Sequence, residues 1–319
     1  MKRLGKISLA LLAVIVIVAC SNKKGSNGEN DRPSQFFPPE DLPEKFLAGE
    51  FEAIYHQTSK AFQESVSLKE FKKLGKDFTK GVNNFESVST MPVQAFTEYQ
   101  WISDAGDKGI RSYFAEDYTI EGLQVLPIHS YESDEVYTKN TYQMPMAGEW
   151  VTFWGGTNEL VNYHYAVESE RYAYDLVIVE NDSTFEGDPT KNESYYAFGE
   201  DVLAPYDGIV VSAENEIEDN TPTVDTNEKE PLGNHVILKH EHQEYSVIAH
   251  IQKGSLKVKE GDQVKAGDLL GSVGNSGNSS EPHIHFHVAD GENWLEATSI
   301  RIKLKDGIEP VRGEKVTGF

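Results

Sequence analysis

The chain has 319 residues, with 29 Lys plus Arg against 52 Asp plus Glu and a formal net charge of −23 at pH 7. This length accommodates two domains, and 38 % hydrophobic residues are enough to build their cores. Binding to a phosphate backbone requires clustered Lys and Arg. The excess of acidic residues therefore argues against a nucleic-acid-binding protein.

The first twenty residues have the order of a secretory signal. "MKRLGKISLALLAVIVIVAC" begins with basic residues and continues as an apolar run that ends at Cys20. The run is short for a membrane-spanning helix, so export is favoured over an uncleaved N-terminal anchor. "IVAC" resembles the lipobox of bacterial lipoproteins, which implies a signal peptide over 1–19 and attachment to the extracytoplasmic face of the cell membrane by a lipid on Cys20. Because Cys20 is the only cysteine, the chain cannot form an internal disulfide.

Residues 20–35 and 36–128 differ sharply in composition. The former lack apolar content and predict a flexible tether. The latter contain "LPEKFLAGEFEAIYHQTS" and "SLKEFKKLGKDF", whose apolar residues recur at helical spacing, and Ser67 and Glu70 have the spacing of a capping box. Alternating segments follow, so we expect a small α+β domain. It weakly resembles the NTF2-like or cystatin-like accessory domains of exported bacterial proteins.

The remaining chain is rich in short apolar runs. "AYDLVIV", "GIVVSA", "HVILKH" and "YSVIAHI" are separated by Gly, Pro, Asn and acidic turns, which is typical of an antiparallel sheet or sandwich. We therefore predict a mostly β domain over 145–298, with a C-terminal extension over 299–319. His240 and His242 fall in a predicted hairpin turn, where solvent exposure is expected.

Histidines are concentrated in this β-rich part, where eight of the ten lie between positions 164 and 287. "PHIHFHV" places His283, His285 and His287 at alternate positions, and alternate side chains of a strand face one side. A zinc hydrolase needs three ligands drawn from His, Asp and Glu, with imidazoles nearby to move protons. Metal ligands, acid/base groups and a merely polar strand face are all possible readings of the run. The chain offers a complete set in His164, Asp175, His250, His283 and His285.

Residues 145–298 resemble the lysostaphin/LytM-type zinc endopeptidases of peptidase family M23. The matching segments are "AYDLVI", "VLAPYDGIVV", "GNHVILKHEHQEYSVIAHI" and "VKEGDQVKAGDLLGSVGNSGNSSEPHIHFHV". The resemblance implies an antiparallel LytM-like fold and hydrolysis of peptide bonds in bacterial cell-wall peptidoglycan. It also implies one zinc ion per chain. Under this resemblance the ligands are His164, Asp175 and His285, and the acid/base and transition-state groups are His250 and His283.

Two features depart from the family's pattern. The first ligands are commonly spaced H-x3-D, whereas ten residues separate His164 from Asp175. Glu168 stands at the shorter spacing and is an alternative ligand, but Asp175 is favoured because it begins an apolar strand. "HYAVESERY" would then be an inserted loop. The second departure is His287, where many relatives have Glu or Gln, and it is either a partner of a ligand or a plain polar strand residue.

The main alternative to an enzyme is a non-catalytic M23-like module that binds wall peptides or activates another cell-wall hydrolase. Such modules generally lose ligands, whereas this chain keeps every polar position that the mechanism needs. A broader exported peptidase that acts on Gly-rich proteins is a third possibility. The sequence favours the zinc peptidase.

Overall fold

The computed structural model describes residues 36–319, so the predicted signal peptide, Cys20 and the tether lie outside the described residues. The chain divides into two compact units. The first comprises 36–87 and 96–127, and the second comprises 88–95 and 128–319. Across residues 36–319, no helix combines the length and the apolar character needed to cross a membrane.

The first unit consists of short helices followed by an antiparallel sheet. The helices are α1 (Leu42–Ala48), α2 (Phe51–Gln57), α3 (Lys60–Ser65) and α4 (Leu68–Phe78). The strands, in their order across the sheet, are β1 (Phe85–Val93, of which residues 88–93 are assigned to the second unit), β2 (Phe96–Ser103), β3 (Lys108–Phe114) and β4 (Ile120–Pro127). The capping box predicted at the start of α4 is present, because the Ser67 side chain accepts from the Glu70 amide and the Glu70 side chain accepts from the Ser67 amide. Buried aromatic rings, including Phe46 and Phe71 with centroids 6.0 Å apart, form the core.

The second unit is built on an antiparallel sheet with the strand order β11-β8-β9-β10-β13-β6-β5-β14, beside a smaller β12-β7 pair. Its strands are β5 (Glu149–Trp154), β6 (Tyr174–Val177), β7 (Asp201–Leu203), β8 (Gly208–Glu214), β9 (Asn234–Lys239), β10 (Tyr245–Ile251), β11 (Gln263–Val264), β12 (Leu269–Ser272), β13 (Ile284–Ala289) and β14 (Lys315–Thr317). The predicted fold class, a small α+β part followed by a mostly β part, is confirmed. The C-terminal strand β14 pairs with β5, so part of the segment over 299–319 is an edge of the main sheet.

Three neighbouring strands, β10, β13 and β6, carry the candidate site. Their short apolar runs are buried on both faces; every residue of β10 and of β13 is buried. In the register of β13 with its neighbours, His285 lies opposite Ala249 on one side and opposite Asp175 on the other. Strand pairing therefore brings together polar residues that are 110 positions apart in the chain.

The expectation of an exposed turn at His240 is wrong, since this residue is only 5 % exposed. Its Nε2 atom lies 2.7 Å from Ser246 Oγ, and its Nδ1 atom lies 2.8 Å from the Asp207 carbonyl oxygen. These two hydrogen bonds satisfy the ring inside the protein. His242, in the turn itself, is exposed as expected.

Candidate metal centre

The three predicted ligands converge on one point. The ligand atoms that His164, Asp175 and His285 offer lie within 4.8 Å of one another. His164 Nε2 is 3.0 Å from Asp175 Oδ2, and His285 Nδ1 is 3.0 Å from Asp175 Oδ1. Each of these residues is less than 5 % exposed. Two imidazole nitrogens and one carboxylate form a donor set that suits zinc.

The loop between His164 and Asp175 is closed by a buried amide. Asn162 Nδ2 donates to the carbonyl oxygens of Gly156, Arg171 and Ala173, while Asn162 Oδ1 accepts from the His164 amide at 3.1 Å. One side chain thus fastens both ends of the loop. This arrangement explains how two residues separated by ten positions can meet at one site.

The outer side of the same loop is held by aromatic residues. The hydroxyls of Tyr165 and Tyr172 donate to the two carboxylate oxygens of Asp134 at 2.6 and 2.8 Å. The Arg171 guanidinium lies 3.5 Å from the centroid of the Tyr131 ring, a cation–π contact. The inserted loop is therefore a packed element that fixes the position of His164.

A carboxylate orients the His164 ring by contacting its Nδ1 atom. This carboxylate belongs to Glu170 and not to Glu168, the residue suggested by the spacing in the sequence. Glu168 is exposed, and among residues 36–319 it is not part of the ligand cluster. Glu170 Oε2 instead lies 3.2 Å from His164 Nδ1. A proton on Nδ1 that is donated to this carboxylate leaves the Nε2 lone pair for the metal position. Burial raises the pKa of Glu170, but its hydrogen bond with His164 and the surrounding histidines outweigh burial and bring the pKa to about 2.

His287 orients the other imidazole ligand. His285 Nε2 lies 2.9 Å from His287 Nδ1. Because His285 Nδ1 faces Asp175, we assign the His285 proton to Nε2, which donates it to His287 Nδ1. Burial lowers the pKa of His287 to about 3, so the ring is neutral and able to accept. The geometry therefore favours the interpretation in which His287 is the hydrogen-bond partner of the ligand His285.

The rings of two further histidines, His250 and His283, lie beside the cluster. His250 Nδ1 lies 2.8 Å from the Ser276 carbonyl oxygen, and His283 Nδ1 lies 2.8 Å from the Glu281 carbonyl oxygen. Carbonyl oxygens only accept, so both protons are on Nδ1 and both Nε2 atoms carry lone pairs. His283 Nε2 is 3.6 Å from Asp175 Oδ1. Burial lowers the pKa of both rings, which are therefore neutral bases at pH 7.

The glycine-rich loop that precedes His283 holds His250. Its Ser276 supplies the acceptor for the His250 ring, and Gly277 follows at a φ of +82°. A Cβ on Gly277 would lie 2.4 Å from the amide nitrogen of Gly233. The close approach of two glycine backbones therefore sets the position of the Ser276 carbonyl. His250 itself has a φ of +63°, a strained conformation for a residue with a side chain.

The ionisable groups of the cluster shift one another's pKa values. Burial alone would lower the pKa of His164, but the charges and hydrogen bonds of Asp175 and Glu170 outweigh it and raise the pKa to about 9. Burial would raise the pKa of Asp175, but the neighbouring histidines hold it well below its usual value.

A cleft of about 340 Å³ exposes one side of the cluster, with Asp175 and His283 in its wall. A small peptide segment fits such a space.

One family model matches part of the chain. Residues 194–297, about a third of the chain, match the model of peptidase family M23. The match supports an M23 peptidase. It includes His250, His283 and His285, whereas His164 and Asp175 precede it, so it is the structure that joins the two sets.

Two curated relatives and one solved structure are similar to parts of the chain. An uncharacterized metalloprotease of Buchnera aphidicola is 30 % identical over 105 residues, which is 33 % of this chain and 23 % of that protein. The cell division protein DipM of Caulobacter vibrioides is 33 % identical over 90 residues, which is 28 % of this chain and 12 % of DipM. The chain thus spans less than a quarter of either relative. The catalytic domain of the antimicrobial peptidase lysostaphin from Staphylococcus simulans is 20 % identical, with a TM-score of 0.29, covering 48 % of this chain and 88 % of that domain.

Asn162→Ala should loosen the loop that carries His164. The substitution leaves three carbonyl oxygens and one amide without the partner they have now, and each unsatisfied buried group costs about 1–3 kcal/mol. We expect a loss of about 4 kcal/mol or more in the free energy of unfolding of the second unit, measured by urea denaturation. Asn293→Ala, at an exposed loop position, is the matched control and should change it by less than about 0.5 kcal/mol. Equal effects of the two substitutions would contradict the role given to Asn162.

Proposed function

We propose that the protein is a zinc-dependent endopeptidase that hydrolyses peptide bonds of bacterial cell-wall peptidoglycan. The observation that carries the proposal is the convergence of His164, Asp175 and His285 beside the free Nε2 atoms of His250 and His283. The family match supports the peptidase class. The substrate comes from the resemblance to the lysostaphin/LytM-type enzymes.

The donor set is consistent with one zinc ion per chain. His164 would offer Nε2, His285 would offer Nδ1, and Asp175 would offer a carboxylate oxygen. When bound there, zinc supplies a Lewis acid that polarises the scissile carbonyl and lowers the pKa of water. Glu170 and His287 hold the two imidazole ligands in the required orientations.

His283 and His250 would perform the proton transfers. His283 Nε2 is unprotonated and faces the cleft, so it can accept the proton of the attacking water. The resulting imidazolium is stabilised by the Asp175 carboxylate 3.6 Å away and can pass its proton to the leaving amine nitrogen. His250, whose ring centroid lies 4.7 Å from that of His283, would act as the second acid/base group: its Nε2 would accept a proton, and the resulting imidazolium would stabilise the negative charge that develops on the carbonyl oxygen.

A non-catalytic module that binds wall peptides or activates another hydrolase is the second candidate. A binding module has no need for two neutral imidazoles whose Nδ1 atoms are each anchored to a backbone carbonyl. The strained backbone conformation of His250, with its positive φ, is likewise explained if the residue takes part in catalysis. These features favour the enzyme.

Substitutions should separate metal binding from proton transfer. His164→Ala and His285→Ala each remove a ligand, so we expect loss of the one bound zinc, measured by elemental analysis of the purified protein. His250→Ala and His283→Ala should keep the zinc and lower kcat for a wall-peptide substrate by about a hundredfold or more, since acid/base groups contribute about 10²–10⁴-fold. Glu168→Gln is the control and should change neither quantity.

Two outcomes would overturn the ligand assignment, and a third would overturn the proposed peptidase function. Full zinc content in His285→Ala would show that the ligands are different. Loss of zinc in Glu168→Gln, with zinc retained in Asp175→Asn, would transfer the acidic ligand to Glu168. Zinc-loaded wild-type protein that cleaves no wall peptide, but binds such peptides, would favour the non-catalytic module.

Zinc affinity should depend on pH through His164. With a pKa of about 9, the metal-free ring is protonated at neutral pH, and metal binding must displace that proton. Protons compete less as the pH rises, so the affinity should increase about tenfold per pH unit from pH 7 and level off above about pH 9. Competition with a chelator across this range measures the profile. Glu170→Gln removes one charge that raises the His164 pKa and should move the plateau to lower pH; an affinity independent of pH would contradict the assignment.

We also propose that the protein is anchored outside the cytoplasm by a lipid on Cys20. The signal-like segment before Cys20 and the absence of any other cysteine support this proposal. Cys20→Ser should release the protein from the membrane fraction, whereas the control Ser21→Ala should not. Anchoring that persists in Cys20→Ser, detected by fractionation and immunoblotting, would favour an uncleaved N-terminal helix.

A further inference from the structure

The cleft beside the metal centre carries a second carboxylate. Glu281 lines the same cleft as Asp175 and His283. Its backbone carbonyl accepts from His283 Nδ1 at 2.8 Å, which fixes the Glu281 backbone next to a group of the proposed reaction. Its side chain is partly exposed. The carboxylate is therefore positioned to meet whatever occupies the cleft.

Glu281 has no direct ion-pair partner among the described residues, and the charge of Arg312 compensates its burial only in part. Its Oε2 accepts a hydrogen bond from the Thr184 hydroxyl at 3.1 Å. Within residues 36–319, no Lys, Arg or His forms an ion pair with it, and no Lys or Arg lines the cleft. Burial raises the pKa of the Glu281 carboxyl, and the Thr184 hydrogen bond together with the charge of Arg312 offsets only part of that effect. A positive charge in the cleft would offset the cost of desolvating this carboxylate.

The charge of the cleft indicates the sign of the ligand group. Asp175 and Glu281 are the acidic residues that line it. Asp175 is engaged by His164 and His285, and in the proposed enzyme by zinc, so the carboxylate left to interact with a ligand is Glu281. A carboxylate whose burial the protein compensates only in part favours a cation by charge and hydrogen bonding.

We propose that Glu281 recognises a primary ammonium group of the peptide substrate, close to the bond that is cleaved. This inference rests on the proposed peptidase function for its location, because His283 and Glu281 share one wall of the cleft. The ammonium group is either the amino terminus of a peptide or the side-chain amine of a diamino residue. Both sources supply three N–H donors and one positive charge.

Three peptides of equal length test the proposal. One has a free amino terminus and neutral side chains, one has an acetylated terminus and a side-chain amine, and one has neither amine. Binding is measured by calorimetry and cleavage by kcat/KM, with the wild type, Glu281→Gln and the matched control Glu292→Gln, which removes the same charge at an exposed position outside the cleft lining. Glutamine keeps an oxygen for the Thr184 hydroxyl, and zinc content verifies that the site is intact.

The wild type and Glu292→Gln should favour one of the two amine peptides over the amine-free peptide by about tenfold, and the favoured peptide identifies the source of the ammonium group. Glu281→Gln should lose this preference, so that its kcat/KM no longer differs between the amine-bearing and the amine-free peptides. Equal binding of all three peptides by the wild type, or a preference that survives in Glu281→Gln, would overturn the inference. Amine-dependent binding without cleavage of any peptide would instead leave the recognition site standing and overturn the proposed peptidase function.

Discussion

The buried carboxylate of Asp175 is the group on which the rest of the site depends. It is 4 % exposed, and its two oxygens each contact one imidazole at 3.0 Å. The desolvation of such a charge costs several kcal/mol unless compensating charges and hydrogen bonds are in place. The strand register that sets His285 opposite Asp175, and the loop that returns His164 to it, supply that compensation. In the proposed enzyme a divalent cation between the three groups completes it.

Each ring around Asp175 is fixed by a hydrogen bond at its far nitrogen. A carboxylate lies behind His164, a neutral imidazole behind His285, and a backbone carbonyl behind each of His250 and His283. These four partners sort the rings into two types. The first two rings direct their lone pairs at the metal position, and the last two keep theirs for protons. The division of roles is therefore set by what lies outside the cluster.

The sequence predicts the parts of this site that strand geometry controls. Alternation along β13 predicts that His285 and His287 share a face, and the apolar run after Asp175 predicts the strand in which it lies. Contacts made by loops follow no periodicity in the sequence. The sequence therefore does not identify Asn162 and Glu170, and the spacing suggests Glu168 instead. His240 was wrongly expected to be exposed for the same reason, since its burial depends on hydrogen bonds to Ser246 and to the Asp207 backbone.

Charge balance gives a reason for the histidine at position 287. Asp175 and Glu170 already place two negative charges in a closed pocket, which a divalent cation would neutralise. A glutamate at 287 would add a third negative charge at a fully buried position, at a cost of several kcal/mol. A neutral imidazole accepts the same proton from His285 without that charge. Its remaining nitrogen, Nε2, has no hydrogen-bond partner among residues 36–319. The cost of this unsatisfied nitrogen is smaller than the cost of a third buried negative charge.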